Sequence, residues 1–350
     1  MISIIGAGPS GSYLAYLLAK NGYKVNVYEE HSKLGKPVQC TGLITSAVDN
    51  VYKVDDECIV NKIGNIRIIA PNNQEVNLKL ARKNYVLDRA KFDMFLNNLA
   101  LSENVRYNLG NRLIDYKASK EIELIFKNKK TNTGILVGAD GVNSVVNRTK
   151  LKFVIGKQAR ARGSFDADTF TVHLGYGNFS WVVPEDENTA RIGVIGQDAN
   201  KIYNELARKG NFKFIEWQSG IVPIYDRKLK TQFDNVYILG DAAGMVKATT
   251  YGGIIYGLMA AQELCKAIKE KKNYDELWRK RFGNELYLSL LIRKYLNKMS
   301  LNDYNELVKI FKNEAARKIL EDYDRDFPSK FLFKLILREP RLLKFLKLVF

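Results

Sequence analysis

The chain is 350 residues long and 46% apolar, with a formal charge of +17 from 55 basic and 38 acidic side chains. That size and composition fit a globular protein of about two domains, or one domain carrying an insertion. The charge favours an anionic membrane surface or a phosphorylated substrate. The lysines are dispersed and no nucleic-acid motif occurs, so nucleic acid is excluded as a partner. No uncharged run nears the ~20 residues that span a bilayer. Cys40, Cys58 and Cys265 lack metal-ligand spacing, so no metal is expected, and they suit a reducing compartment. The first strand begins at residue 2 with no basic leader, which leads us to expect no secretory signal and a cytoplasmic location.

Met1–Ile5 is too short an apolar run for a helix and predicts a buried strand. Gly6-Ala7-Gly8-Pro9-Ser10-Gly11 follows at once. Tyr13, Leu14, Leu17 and Leu18 then recur at helical spacing up to a stop at Asn21-Gly22, and Lys24–Tyr28 reads as a second strand ending at Glu29. A lone GxGxxG is weak; strand, glycine turn, helix, strand and acid in that order is what a dinucleotide fold requires. Gly6 permits the tight turn, Gly8 the approach of a pyrophosphate, and Gly11 close packing of helix on strand. The phosphates would sit at the helix N-terminus, with Ser10 offering its amide or hydroxyl. Glu29 would accept hydrogen bonds from an adenosine ribose.

Ile63–Ala70 and Glu75–Leu80 flank the turn Pro71-Asn72-Asn73 and read as a hairpin. Asp88–Ala100 predicts a helix with Phe92, Phe95, Leu96 and Leu99 as its stripe. Val105–Leu109, Leu113–Lys117 and Glu121–Phe126 suggest a small antiparallel meander, leading to a strand over Gly134–Val137 and to Gly138-Ala139-Asp140-Gly141. A strand-rich stretch, Thr169–Gly196, holds Trp181. Only afterwards does the apolar Tyr237-Ile238-Leu239 lead onto a second glycine motif, Gly240-Asp241, and Gly252-Gly253-Ile254 open a helix to about Lys269. From about Tyr274 the chain is predominantly helical.

The two glycine motifs together imply one extended cofactor held at both ends, FAD. The expected fold is α/β. A Rossmann-like FAD-binding domain of the glutathione-reductase type takes residues 1–62, 81–150 and 226–273. A β-rich substrate domain (63–80 and 151–225) is inserted into it, and a helical region (274–350) follows. Asp241 would accept hydrogen bonds from the ribityl or pyrophosphate-ribose side of FAD; helix N-capping is a compatible second role. Gly253 and Ile254 would turn backbone amides to the flavin N1/C2=O edge, where a helix N-terminus steadies negative charge by ~0.3–2 kcal/mol. Packing alone is the competing account of those glycines.

Gly138-Ala139-Asp140-Gly141-Val142-Asn143-Ser144 resembles the "DG" segment of the p-hydroxybenzoate-hydroxylase-like flavoproteins, and Gly240-Asp241 resembles their "GD" segment. Within that superfamily, Gly35-Lys36-Pro37-Val38-Gln39-Cys40-Thr41-Gly42 looks like the cysteine–glycine loop of the geranylgeranyl reductases. Tyr176-Gly177-Asn178-Phe179-Ser180-Trp181-Val182-Val183-Pro184 is similar to that family's PxxYxWxFP segment. Trp181 and Pro184 match; Phe179 replaces the usual Tyr, Val183 the usual Phe, and Tyr176 the first Pro. The resemblance implies an FAD-dependent reductase that saturates isoprenoid double bonds, including those of archaeal-type geranylgeranyl ether lipids. It implies flavin contacts from Cys40, Gly42 and Arg89, and an adenine contact from the Leu113 backbone. A buried, inert cysteine is the ordinary alternative for Cys40. His31 and His173 lack a nucleophile or ligand partner nearby in sequence and read as structural.

An isolated alkene resists hydride unaided, so the resemblance implies protonation toward a tertiary cation coupled to hydride delivery. Trp181, Phe179 and Tyr176 would line a dry prenyl tunnel and steady positive charge by up to ~2 kcal/mol. Cys40, Tyr176 or a water would supply the proton; core packing is the other account of Trp181. Electrons would come from an external donor, NAD(P)H or ferredoxin. Two other readings share the glycine motifs: a flavin monooxygenase of the hydroxylase type, and a membrane-associated electron-transfer flavoprotein.

Lys330, Lys334, Arg338, Arg341 and Lys344 recur every three or four residues among Phe331, Leu335, Ile336, Leu342, Leu343, Phe345 and Leu346. Pro340 divides them into two short amphipathic helices. They either sit peripherally on the inner face of the membrane or close the substrate cavity, and the two roles are compatible.

Overall fold

A computed structural model of the protein describes residues 1–209 and 212–348. The short N-terminal strand, Ile2–Ile5, sits in the middle of a six-stranded sheet. Val25–Tyr28 and then Arg106–Asn108 lie on one side of it, Ile135–Gly138 and then Val236–Ile238 on the other, all parallel. Gln232–Phe233 adds an antiparallel edge. Strand alternation sorts the side chains between two layers. Ile2, Ile4, Val25, Val27, Val137 and Ile238 are buried with the helices Pro9–Lys20, Arg89–Ser102 and Ile254–Glu270. Ile5, Tyr28, Leu136 and Val236 are buried instead with a three-stranded antiparallel sheet, Leu113–Ala118, Ile122–Phe126 and Lys130–Thr133.

The meander expected from 105 to 126 is therefore split. Arg106–Asn108 pairs with Val25–Tyr28 in the main sheet, and the third strand of the meander is the polar Lys130–Thr133. Its sequence, Lys-Thr-Asn-Thr, carries no apolar alternation to announce it.

The second sheet has eight strands, in the order Lys213–Pro223, Phe153–Arg162, Thr189–Ile195, Phe179–Pro184, Thr169–His173, Ile59–Ile69, Glu75–Leu87 and Leu43–Ile44. Only the pairing of Thr169–His173 with Ile59–Ile69 is parallel. The hairpin runs longer than its sequence alternation suggested, because both strands continue past bulges at Ile59/Asn61 and Ile63/Asn65. Helices Leu301–Phe311 and Glu314–Asp322 lie against Glu75–Leu87, and Val308 is buried among Ile63, Ile66, Leu78 and Phe170. Helix Ala199–Lys209 was not foreseen; its first turn buries Ala199 and Tyr203 against Ala159 and Val194.

The first helix crosses the glycine turn with almost no clearance. A Cβ on Gly11 would lie 2.2 Å from the Gly6 carbonyl oxygen, and one on Gly6, at φ +101°, would lie 2.3 Å from that of Ala139. Gly11→Ala is therefore expected to lower stability by ~1–3 kcal/mol as an overpacked contact. The shift of the urea midpoint checks it, and unchanged stability would show that the helix can slide away from the strand.

Candidate functional site

Between the two sheets and the C-terminal helices lies a cavity of about 1300 Å³. Ordinary ligand pockets occupy roughly 300–1,000 Å³, so this one has room for more than one small molecule. One end is walled by Gly6, Gly8, Ser10, Glu29, Arg89 and Leu113; Cys40, Gly42, Asp241, Gly253 and Ile254 line it further on. Trp181 and Phe179 lie on the same cavity with the C-terminal Phe331, Leu335 and Phe345.

Gly8 has nothing within 4 Å of where a Cβ would stand, so the turn lies open to the cavity. Ser10 is oriented differently from expectation. Its hydroxyl fits into gaps left by Gly240 and Gly257, whose Cβ atoms would lie 2.7 and 2.1 Å from it. Its backbone amide, in the unsatisfied first turn of the helix, is what remains for an anion. Gly11 faces the strand and does not line the cavity. Glu29 accepts the Ala7 amide at 2.8 Å through Oε2 and contacts His31 Nδ1 at 2.6 Å through Oε1. His31 thus joins the cavity wall beside Glu29, a placement the sequence reading missed.

Asp241 lies deep in the protein, yet it is accessible because it faces the cavity. Burial raises its pKa and Arg89 opposes the shift. The N-cap of the short turn Gly240–Ala243 is Leu239 and that of the helix Ile254–Glu270 is Gly253, so Asp241 caps neither. Arg89 forks onto Asp93 at 3.0 and 3.1 Å. Burial works against the Arg89 charge, but Asp93 and the nearby Cys40 outweigh it and its pKa is raised. Asp140 is tied by Ser144 Oγ and the Val145 amide into the turn that carries Gly141; burial raises its pKa and Ser144 opposes.

The Cys40 loop is held from the second sheet. Gly42 has φ +72°, and a Cβ there would lie 2.6 Å from the Leu87 carbonyl oxygen and 2.7 Å from Arg191 Nη1. Arg191 donates to the carbonyls of Thr41 and Leu87 and pairs with the buried Glu185 at 2.5 Å. Thr41 donates to Gln158 at 2.7 Å. The sequence reading singled out none of these. The available signal was a charged side chain inside the apolar strand Ala190-Arg191-Ile192-Gly193-Val194.

Trp181 rests over Gly193, where a Cβ would lie 2.3 Å from the indole ring. Its Nε1 is buried without a hydrogen-bond partner among the described residues. Phe179 lies 5.7 Å from Trp181 and stacks on Tyr251 at 6.1 Å. The buried Arg293 sits 5.5 Å from both the Phe179 and Tyr251 rings and donates to the carbonyls of Ala248, Asn178 and Thr249. Tyr176 stands apart: it is 43% exposed, lies edge-on to His173 and does not line the cavity. Lys247 and Asp326, both buried, form an ion pair at 2.5 Å in the cavity wall, and Thr45 donates to the same carboxylate at 2.6 Å. That cluster, too, lay outside the sequence reading.

Residues 4–58 match the family model of an NAD(P)-binding Rossmann-like domain. Digeranylgeranylglycerophospholipid reductase of Methanocaldococcus jannaschii is 27% identical over 99% of this chain and 97% of its own. This chain is similar to the digeranylgeranylglycerophospholipid reductases along nearly its whole length. A geranylgeranyl bacteriochlorophyll reductase-like protein of Thermoplasma acidophilum shares the fold, with a TM-score of 0.84 and 22% identity over 99% of this chain and 98% of that one. A halogenase variant solved in complex with FAD superposes with a TM-score of 0.67 and 13% identity over 91% of this chain and 81% of that one. The chain is thus a mixed α/β protein with the expected Rossmann-like domain and helical C-terminal region.

Three features fit an FAD in this chain: the open face at Gly8, a deep Asp241 carboxyl with no protein partner among the described residues, and a cavity continuous from Gly6 to Cys40. Asp241→Asn is expected to separate binding from stability. Because the folded pKa of Asp241 is raised, the stability it contributes is present at low pH and lost as the pH rises through the carboxyl range. The amide should therefore leave the apoprotein no less stable at pH 7 while weakening FAD binding by ~10-fold or more. Urea unfolding at pH 4 and 7 and a flavin-fluorescence titration check the two halves.

Proposed function

We propose that the protein is an FAD-dependent reductase that saturates the isoprenoid double bonds of geranylgeranyl groups in ether phospholipid synthesis. The observation that carries this reading is the single cavity that joins a dinucleotide cradle to an apolar, aromatic chamber. The named relatives support it over their full length. FAD, when bound, supplies the hydride that completes saturation of the bond. Gly6, Gly8 and the Ser10 amide would hold its pyrophosphate, Glu29 and Leu113 its adenosine end, and Asp241, Arg89, Gly253 and Ile254 the remainder.

The chain's own part is to shape and dry the chamber. Phe331, Leu335 and Phe345 turn inward from the C-terminal segment and exclude water from one side. Trp181 offers its ring to positive charge developing on the alkene, worth up to ~2 kcal/mol where water is excluded. Arg191 fixes the Thr41 carbonyl and so the position of Cys40, the proton donor in this scheme. Tyr176, exposed and outside the cavity, drops out of the scheme.

The C-terminal segment has a second face. Helix Leu332–Arg338 leaves Phe333 70% and Leu337 62% exposed, beside Lys330, Lys334 and Arg338, while Leu335 is buried. Two large apolar side chains ringed by cations fit a surface of anionic lipid. The helix would then close the cavity and rest on the bilayer from which a prenyl substrate arrives. Among the described residues no helix is long and apolar enough to cross a membrane, and the side chain of Leu346 lies outside them.

Dithionite-reduced protein incubated with geranylgeranyl lipids should yield products heavier by about two mass units per bond, read by mass spectrometry; unaltered lipid would overturn the reading. Trp181→Ala should lower the rate by ~10-fold or more with FAD affinity unchanged, as expected for a ring that meets the substrate alone. Phe333→Ser with Leu337→Ser should abolish co-sedimentation with phosphatidylglycerol vesicles while leaving the flavin spectrum unchanged. Sedimentation equal to wild type would count against the lipid-facing helix.

A further inference from the structure

A buried cation grips the turn that leads into the helix Ile254–Glu270. Arg293 lies on the helix Asn284–Leu296, is only 5% exposed and reaches the cavity wall. Its Nε donates to the Ala248 carbonyl at 3.0 Å, Nη1 to that of Asn178 at 3.2 Å and Nη2 to that of Thr249. Ser289, one helical turn earlier on the same face, accepts the Ala248 amide at 3.1 Å. Ala248 is thus held through both its N–H and its C=O by one face of one helix.

No carboxylate pairs with Arg293 among the described residues. Asp241, which approaches the turn at Gly253, is coupled to Arg89, and Asp326 is taken by Lys247. Burial holds the Arg293 pKa below the ordinary arginine value, and only the phenols of Tyr251 and Tyr304 oppose that shift. The amides of Thr249, Thr250, Gly252, Gly253 and Ile254 donate to no protein group among the described residues, and all of these residues line the cavity. Tyr251, at φ +55°, instead turns its amide back onto the Lys247 carbonyl at 2.9 Å.

In a trans peptide the N–H points opposite to the C=O. By holding the Ala248 and Thr249 carbonyls, Arg293 therefore turns the Thr249 and Thr250 amides away from itself. The guanidinium charge and the positive ends of these dipoles then act in one sense. We propose that Arg293 is a positioning residue that raises the reduction potential of bound FAD, by orienting this turn and by setting an unpaired positive charge beside it. Reduction adds two electrons and one proton to the neutral isoalloxazine. It leaves one negative charge at the N1/C2=O edge, the edge assigned to the Gly253 and Ile254 amides. The inference rests on the FAD reading and adds the side chain that tunes the cofactor.

The test is the midpoint potential of the full-length, FAD-loaded protein, read from its absorbance against a reference dye during slow reduction by dithionite. Asn297 is exposed, one turn beyond Arg293, and its Oδ1 lies 3.5 Å from Nη1. Asn297→Asp therefore supplies a counter-ion and removes no hydrogen bond. It should weaken binding of reduced against oxidised FAD ~3-fold, a fall of about 15 mV for a two-electron couple. Arg293→Met should weaken it ~10-fold or more, a fall of about 30 mV or more, and Arg293→Lys should stay nearer wild type. If Arg293→Met fails to fold, the isosteric Asn297→Asp decides the matter alone. A wild-type potential in Asn297→Asp, or in folded Arg293→Met, would overturn the proposal. Wild-type protein that takes up no FAD would sink the cofactor reading and this inference together. A flavin that binds but ignores both substitutions sinks the inference alone.

Discussion

The architecture turns on a steric constraint at one crossing point. The Gly6 carbonyl, the backbone of Gly11 and the Ala139 carbonyl converge so closely that neither glycine can carry a methyl group. This contact sets the first helix directly above the strand Ile2–Ile5 and brings the segment Gly138–Gly141 alongside it. Once those pieces are fixed, the helix N-terminus and Asp140 face one space. Gly240 then closes onto Ser10, so the late glycine motif docks on the early one through a side chain that the sequence suggested for phosphate.

The rest of the cavity depends on polar ties between segments distant in sequence. Arg191 and Glu185 reach from the second sheet to hold the Cys40 loop, and Lys247 with Asp326 joins the loop before Gly252 to the C-terminal region. Buried ion pairs of this kind add little net stability, because desolvation offsets most of the attraction. Removing one partner, however, strands a buried charge. Such pairs therefore act as registers: each segment has one position in which its charge is satisfied, and the cavity keeps its shape because the alternatives are penalised.

The dinucleotide half of the fold was legible in the sequence because its signals are local. Ile2–Ile5, the glycines, the stop at Asn21-Gly22 and the second strand lie within thirty residues, and each is forced by backbone geometry. The edge of the main sheet at Arg106–Asn108 and the polar strand Lys130–Thr133 were not legible, since tertiary pairing overrides a weak local pattern there. The same holds for Asp324-Arg325-Asp326. In sequence it is a charge run of the sort that normally sits in water. Folding sends Asp324 to Arg82 and Asp326 to Lys247, leaving Arg325 between them without either. No periodicity encodes that separation. Tyr176 shows the reverse error, for its neighbours Phe179 and Trp181 face the cavity while the turn through Gly177, at φ +62°, carries Tyr176 outward.

A chamber that steadies positive charge on hydrocarbon should not itself be lined with free cations, and the placement of the basic groups meets that requirement. Lys247 is neutralised by Asp326. Arg293 spreads its charge over three backbone carbonyls and the rings of Phe179 and Tyr251. The Phe179 ring is thereby already polarised toward a cation of the protein and has less to offer a second one. No cation lies over Trp181 among the described residues, and its ring is backed by a glycine rather than a side chain. On the proposed reading, the burden of steadying charge falls on Trp181 alone of the two. Arg325 is the exception: it reaches the cavity with no ion pair among the described residues, and burial holds its pKa below the ordinary arginine value.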